Sequence, residues 1–138
     1  MLFGFLLVVP ILVGGWYVLK SYGVTFIEAD RPLFLSSARQ AVAEWGRLPP
    51  YPEGVKSFTI TTSGNVFTRA FRVSFFGEPA AITEWIKTCP GVNDPQGTKE
   101  DVPGGGTRYT YPAAGGAAHA EILHFPERGT VEIYTYWS

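Results

Sequence analysis

The chain has 138 residues, room for one ordinary core and a short appendage rather than two domains. Hydrophobic residues make up 46% of it and aromatics 15%, enough to bury a core, so the composition excludes a disordered chain. Eleven basic and twelve acidic residues give a net charge of −1 and are scattered singly, which leaves no basic run to neutralise phosphates and excludes general nucleic-acid binding and polybasic lipid contact.

The first element is MLFGFLLVVPILVGGWYVLK, which carries no charged side chain from Met1 to Leu19. A helix of that length at about 1.5 Å per residue nearly covers the ~30 Å hydrocarbon layer of a bilayer. Pro10, Gly14 and Gly15 weaken a water-soluble helix but are tolerated in a membrane one, and Trp16, Tyr17 and Lys20 have the order of an interfacial belt and a charged stop. A cleaved export signal is the competing reading. It fits less well, because no basic residue precedes the run and Val13-Gly14-Gly15 is a poor cleavage site. A buried core helix fits least, since core helices seldom stay apolar on every face. The only cysteine, Cys89, is far from the run, so a lipidation cysteine and an internal disulfide framework are both lacking. The expectation is a retained transmembrane anchor over residues 1–20, followed by a connector over 21–32.

In the connector, Asp30 ahead of Arg31-Pro32 reads as a helix N-cap with proline in the first turn. Leu35, Ala38, Val42 and Trp45 then repeat at three- and four-residue spacing, the stripe of an amphipathic helix stopped by Gly46 and Pro49-Pro50. Ser57–Thr62 and Val66–Phe76 read as two strands of a hairpin around Ser63-Gly64-Asn65. On the second strand Arg69 has the parity of Phe71, Val73 and Phe75, as a rim residue or a ligand contact. Pro79 opens a second helix with Ile82, Trp85 and Ile86 on one stripe and Cys89-Pro90-Gly91 as its stop. NDPQGTKEDVPGGG, residues 93–106, has the composition of a long exposed loop.

Three strands close the chain: Thr107–Pro112, Ala118–Phe125 and Thr130–Trp137. The turn Pro126-Glu127-Arg128-Gly129 sets the register of the last two, pairing Phe125 with Thr130. Ile122 then faces Ile133 and Ala120 faces Thr135 on the core side, while Glu121 faces Tyr134 and His119 faces Tyr136 outside. The expected fold over residues 33–138 is α+β, an antiparallel sheet of about five strands with two helices on one face.

Tests for chemistry come out negative. Cys89 falls at a helix C-terminus, where the dipole opposes a thiolate, so it reads as structural despite nearby Lys87. His119 and His124 are five apart and point to opposite faces of one strand, and His119 with Glu121 has no third His or Cys to complete a zinc site. Asp94, Glu100 and Asp101 lack the order of a calcium loop, and Gly104-Gly105-Gly106 runs into a strand rather than a helix N-terminus. No nucleophile elbow is present; Glu121 and Glu132 share a parity on adjacent strands, as a carboxylate pair would need, but so do ordinary surface charges. No catalytic, metal or cofactor residue is assigned.

The stretch LPPYPEGVKSFTITTSGNVFTRAFRVSFFGEPAAITEWIKTCPGV resembles a pattern in small membrane-anchored or lipidated bacterial envelope proteins of unassigned function: a Leu-Pro start, two strands, then a short helix with an aromatic. The resemblance implies a bacterial envelope protein with an α+β domain; the domain is expected at the cell membrane on the extracytoplasmic side, while Lys20 and Arg31 pull the other way by the positive-inside tendency and leave the side open. The expected role is binding of a protein or envelope partner by a single-pass domain, through an outward face carrying His119, Glu121, Tyr134 and Tyr136. Two alternatives stand beside it. One is a hydrolase or transferase with a carboxylate or histidine site assembled only in the fold; the other is a structural subunit of a membrane complex, packed through Gly4, Gly14 and Gly15.

Overall fold

The computed structural model describes residues 32–64 and 68–137. The expected anchor, the N-cap Asp30 and most of the connector lie outside the described residues. Among those described, no helix is long and apolar enough to cross a membrane.

The elements follow one another as α1 (Pro32–Trp45), β1 (Lys56–Gly64), β2 (Arg69–Phe76), α2 (Pro79–Thr88), β3 (Thr98–Val102), β4 (Gly106–Tyr111), β5 (His119–Phe125) and β6 (Thr130–Trp137). They build an α+β fold on one antiparallel six-stranded sheet of order β1-β2-β6-β5-β4-β3. This corrects the expected five strands. About a third of the supposed loop over 93–106 is β3, whose TKEDV sequence has no alternation because an edge strand held by its ladder to β4 need not bury a face. The loop proper shrinks to the turns around Asp94, where the carboxylate accepts from the Gln96 N–H at 2.8 Å.

The central position of β6 sets the register of the whole sheet. Val73 pairs with Ile133 on one side of it, and Ile122 pairs with Ile133 on the other. Period-two alternation then sends Ile60, Phe71, Val73, Phe75, Val131, Ile133, Ala120 and Ile122 to a single face, where all are buried. Both helices cover that face. Trp45 of α1 lies against Phe71 with ring centroids 5.2 Å apart, and Trp85 of α2 meets Phe75 edge-on at 5.7 Å. Tyr51 and Phe58 complete the aromatic cluster, with the Arg39 guanidinium 4.1 Å over the Phe58 ring.

Local chemistry fixes the helix ends. The Glu78 carboxylate accepts from the Ala81 N–H at 2.8 Å, and Pro79 supplies a helical φ in the first turn. Cys89 ends α2 in extended backbone and buries its thiol, which donates to the Trp85 carbonyl at 3.5 Å. At the end of α1 the chain turns through Arg47, whose positive φ of 51° is unusual for a side-chain-bearing residue. Three contacts lock that turn: Arg47 pairs with Asp94, the Tyr111 hydroxyl donates to the Gly46 carbonyl at 2.7 Å, and the Ala114 N–H donates to the Trp45 carbonyl at 3.0 Å. Gly91 leaves space for the same tyrosine, since a Cβ there would fall inside the Tyr111 ring.

The outward face of the sheet

Because both helices lie on one side, neither covers the other face of the sheet. Register arranges that outward face in rows across the strands. One row runs Thr61, Arg72, Tyr134, Glu121, Thr110 and Thr98; the next runs Thr59, Ser74, Glu132, Leu123, Arg108 and Glu100. His119 lies opposite Tyr136, and Glu121 opposite Tyr134, as the hairpin turn implies. The fold therefore brings His119, Glu121, Tyr134 and Tyr136 together on adjacent strands.

Charges on this face are paired within it. The Arg108 Nε is 3.3 Å from Glu121 and its Nη1 is 3.5 Å from Glu100, while Arg72 reaches Glu132 at 3.9 Å. His119 Nε2 is 3.9 Å from the same Glu121 carboxylate. Tyr134 sits between two of these partners, with the Arg72 guanidinium 5.7 Å from its ring centre and the His119 ring 6.4 Å away and edge-on. An open depression over Leu123 and Tyr134 is flanked by Arg72 and Glu132 on one side and Arg108 and Glu121 on the other. Glu132 stands opposite Leu123 rather than Glu121, so the two carboxylates are diagonal neighbours, each facing an arginine.

The remaining sequence candidates are dispersed. His124 points into the core at 4% exposure, its Nε2 has no partner, and burial holds its pKa below the ordinary histidine value. Burial pushes the Cys89 thiol up to about 12, the opposite of what a reactive thiolate needs. Asp94 is engaged by Arg47, whose guanidinium holds its carboxyl below the usual range. Glu100 and Asp101 are successive residues of β3 and face opposite ways, so the three acids do not converge. Among the described residues no group of three His, Cys, Asp or Glu side chains could hold a metal ion. Arg69 is exposed at the mouth of β2, opposite Trp137.

Arg72 and Arg108 belong to the face although neither stands out in the sequence. The turn-defined β5–β6 hairpin is readable locally, but the insertion of β6 against β2 is a pairing between segments some sixty residues apart, and only that pairing puts Arg72 beside Tyr134. Compared with family models, curated proteins and solved structures, the chain matches none.

Proposed function

We propose that the protein is a single-pass, membrane-anchored domain that binds a protein or envelope partner through the outward face of its sheet. The observation that supports this reading most is the composition of that face. Tyr134, Tyr136 and His119 stand half-buried, Tyr134 beside Arg72, which already faces Glu132, and His119 beside Glu121, which already faces Arg108, so large rings are presented with few rotatable bonds and little uncompensated charge. Rigid aromatic groups with neighbouring arginines are the side chains most enriched at recognition surfaces. Anchoring is supported by the uncharged run from Met1 to Leu19.

Two measurements test this. A photo-crosslinking residue at position 134 in intact membranes is expected to give a discrete adduct that the same group at Lys87, on the exposed side of α2, does not give. Equal labelling at both positions, or none at either, would end the binding-face reading. Val8→Arg is expected to shift the chain from membrane to soluble fractions, because a central charge costs about 2.5–3.5 kcal/mol on insertion scales. If wild-type chain with its N-terminus intact were already soluble, the anchor would be refuted.

A further inference from the structure

The two edges of the sheet differ in a way that the outward face does not explain. An edge strand presents a row of unpaired backbone N–H and C=O groups, a template for another strand unless charge, proline or a bulge blunts it. The β3 edge is blunted by charge, since Lys99, Glu100 and Asp101 follow one another and are all exposed. The β1 edge is not. From Phe58 to Gly64 it reads FTITTSG, without charge or proline, and its ladder to β2 is regular from Thr59 to Gly64. Its register breaks between Lys56 and Thr59, where Ser57 has φ 50°, and the ladder beyond the break, from Thr59 to Gly64, has no further shift.

We infer that β1 is a self-association edge, on which β1 of a second copy of this chain pairs antiparallel about a two-fold axis near Thr61. The edge is complementary to itself. A two-fold axis perpendicular to the sheet pairs each residue with one of the same parity, so buried Ile60 meets Thr62 on the helix-covered side of both copies. On the outward side Thr61 meets Thr61 and Thr59 meets Ser63, hydroxyl pairs of the kind already formed within the chain, where the Thr59 and Ser74 hydroxyls are 2.6 Å apart. Lys56, the only charge on the strand, lies five residues from the axis, so the two copies of it stand roughly 30 Å apart and do not repel. The same operation on β3 sets Glu100 against Glu100. The helix layers of the two copies end on one side of a continuous twelve-stranded sheet, each outward face remaining open.

Cysteine crosslinking of the full chain in mild detergent tests both the pairing and its register. Directly opposed residues in an antiparallel pair have Cα atoms about 4.5–5.5 Å apart, within disulfide reach, and native Cys89 is buried and does not compete. Thr61→Cys is expected to give a disulfide-linked dimer under mild oxidation, and Glu100→Cys at the centre of the β3 edge is expected to give little. Sedimentation supplies the second readout. Thr61→Lys should weaken the dimer about five-fold by opposing like charges, and an equimolar mixture of Thr61→Lys and Thr61→Glu should restore it, with circular dichroism reporting that each variant is folded. A chain that stays monomeric at all concentrations, or a dimer indifferent to charge at position 61, overturns the inference. So does a dimer crosslinked through position 100 in preference to 61.

Discussion

Thr135 offers a test of whether the core is packed as described. It has no exposed surface, lies between Phe71 of β2 and Ala120 of β5, and its hydroxyl has no hydrogen-bond partner. An unmade hydrogen bond in such a place costs about 1–3 kcal/mol of desolvation, whereas exchanging the group for an apolar one of the same shape removes that cost. Valine is the same shape and keeps the β-branch that suits a strand. Thr135→Val should therefore stabilise the fold, by about 1 kcal/mol at the lower end of that range, and raise Tm by about 4–8 °C for a domain near 100 residues. Thr135→Ser keeps the hydroxyl and deletes a methyl in a fully packed layer, and should cost about 1 kcal/mol. Thermal and urea unfolding, followed by tryptophan fluorescence from buried Trp85, would measure both. A Thr135→Val protein that is less stable than wild type would refute the reasoning, because the hydroxyl would then have to be engaged.

Three further outcomes are expected. His124 has a folded pKa below its unfolded value, so the unfolded chain binds the extra proton; stability should be intact above about pH 6.5 and fall as the pH drops below it, and His124→Gln should flatten that dependence in urea titrations. Gly91→Ala would drive a methyl into the Tyr111 ring and strain its bond to Gly46, so it should destabilise by more than about 2 kcal/mol, while the same change at exposed Gly105, with positive φ but open space, should cost about 1 kcal/mol. Cys89 should resist thiol-labelling reagents in the native chain and react fully in denaturant, since it is completely buried with its pKa pushed up to about 12. Rapid native-state labelling would contradict its place in the core.

What the sequence discloses depends on whether local rules or distant partners set the structure. The two helices are readable because caps and stripes are local: Pro79 and Cys89 mark the ends of α2, and Val42 and Trp45 fall on the buried side of α1. The β5–β6 register follows from a four-residue turn, so the mutual placement of His119, Glu121, Tyr134 and Tyr136 is readable as well. β3 is hidden because its residues answer only to a hydrogen-bonded neighbour, and Pro103-Gly104-Gly105 between Val102 and Gly106 is the one cue that a hairpin, not an open loop, lies there. Arg72 and Arg108 were equally hidden as members of the face, since strand order, not spacing, brings them to it. The five-residue spacing puts His124 on the face opposite His119, but its lack of a partner depends on packing that no spacing encodes.

The place of β6 also bears on how the chain is made. Strands β1 and β2 form one local hairpin and β3, β4 and β5 a second local meander, and β6 is the only strand bonded to both. A nascent chain can therefore complete two separate half-sheets, but it cannot join them until residues 130–137 emerge from the ribosome. Until then the inner edges of β2 and β5, with Val73 and Ile122 beside them, stay open to wrong partners. A released chain truncated after Gly129 should be protease-sensitive between Phe76 and Thr98, and restoring the eight residues of β6 should convert it to the resistant form in one step.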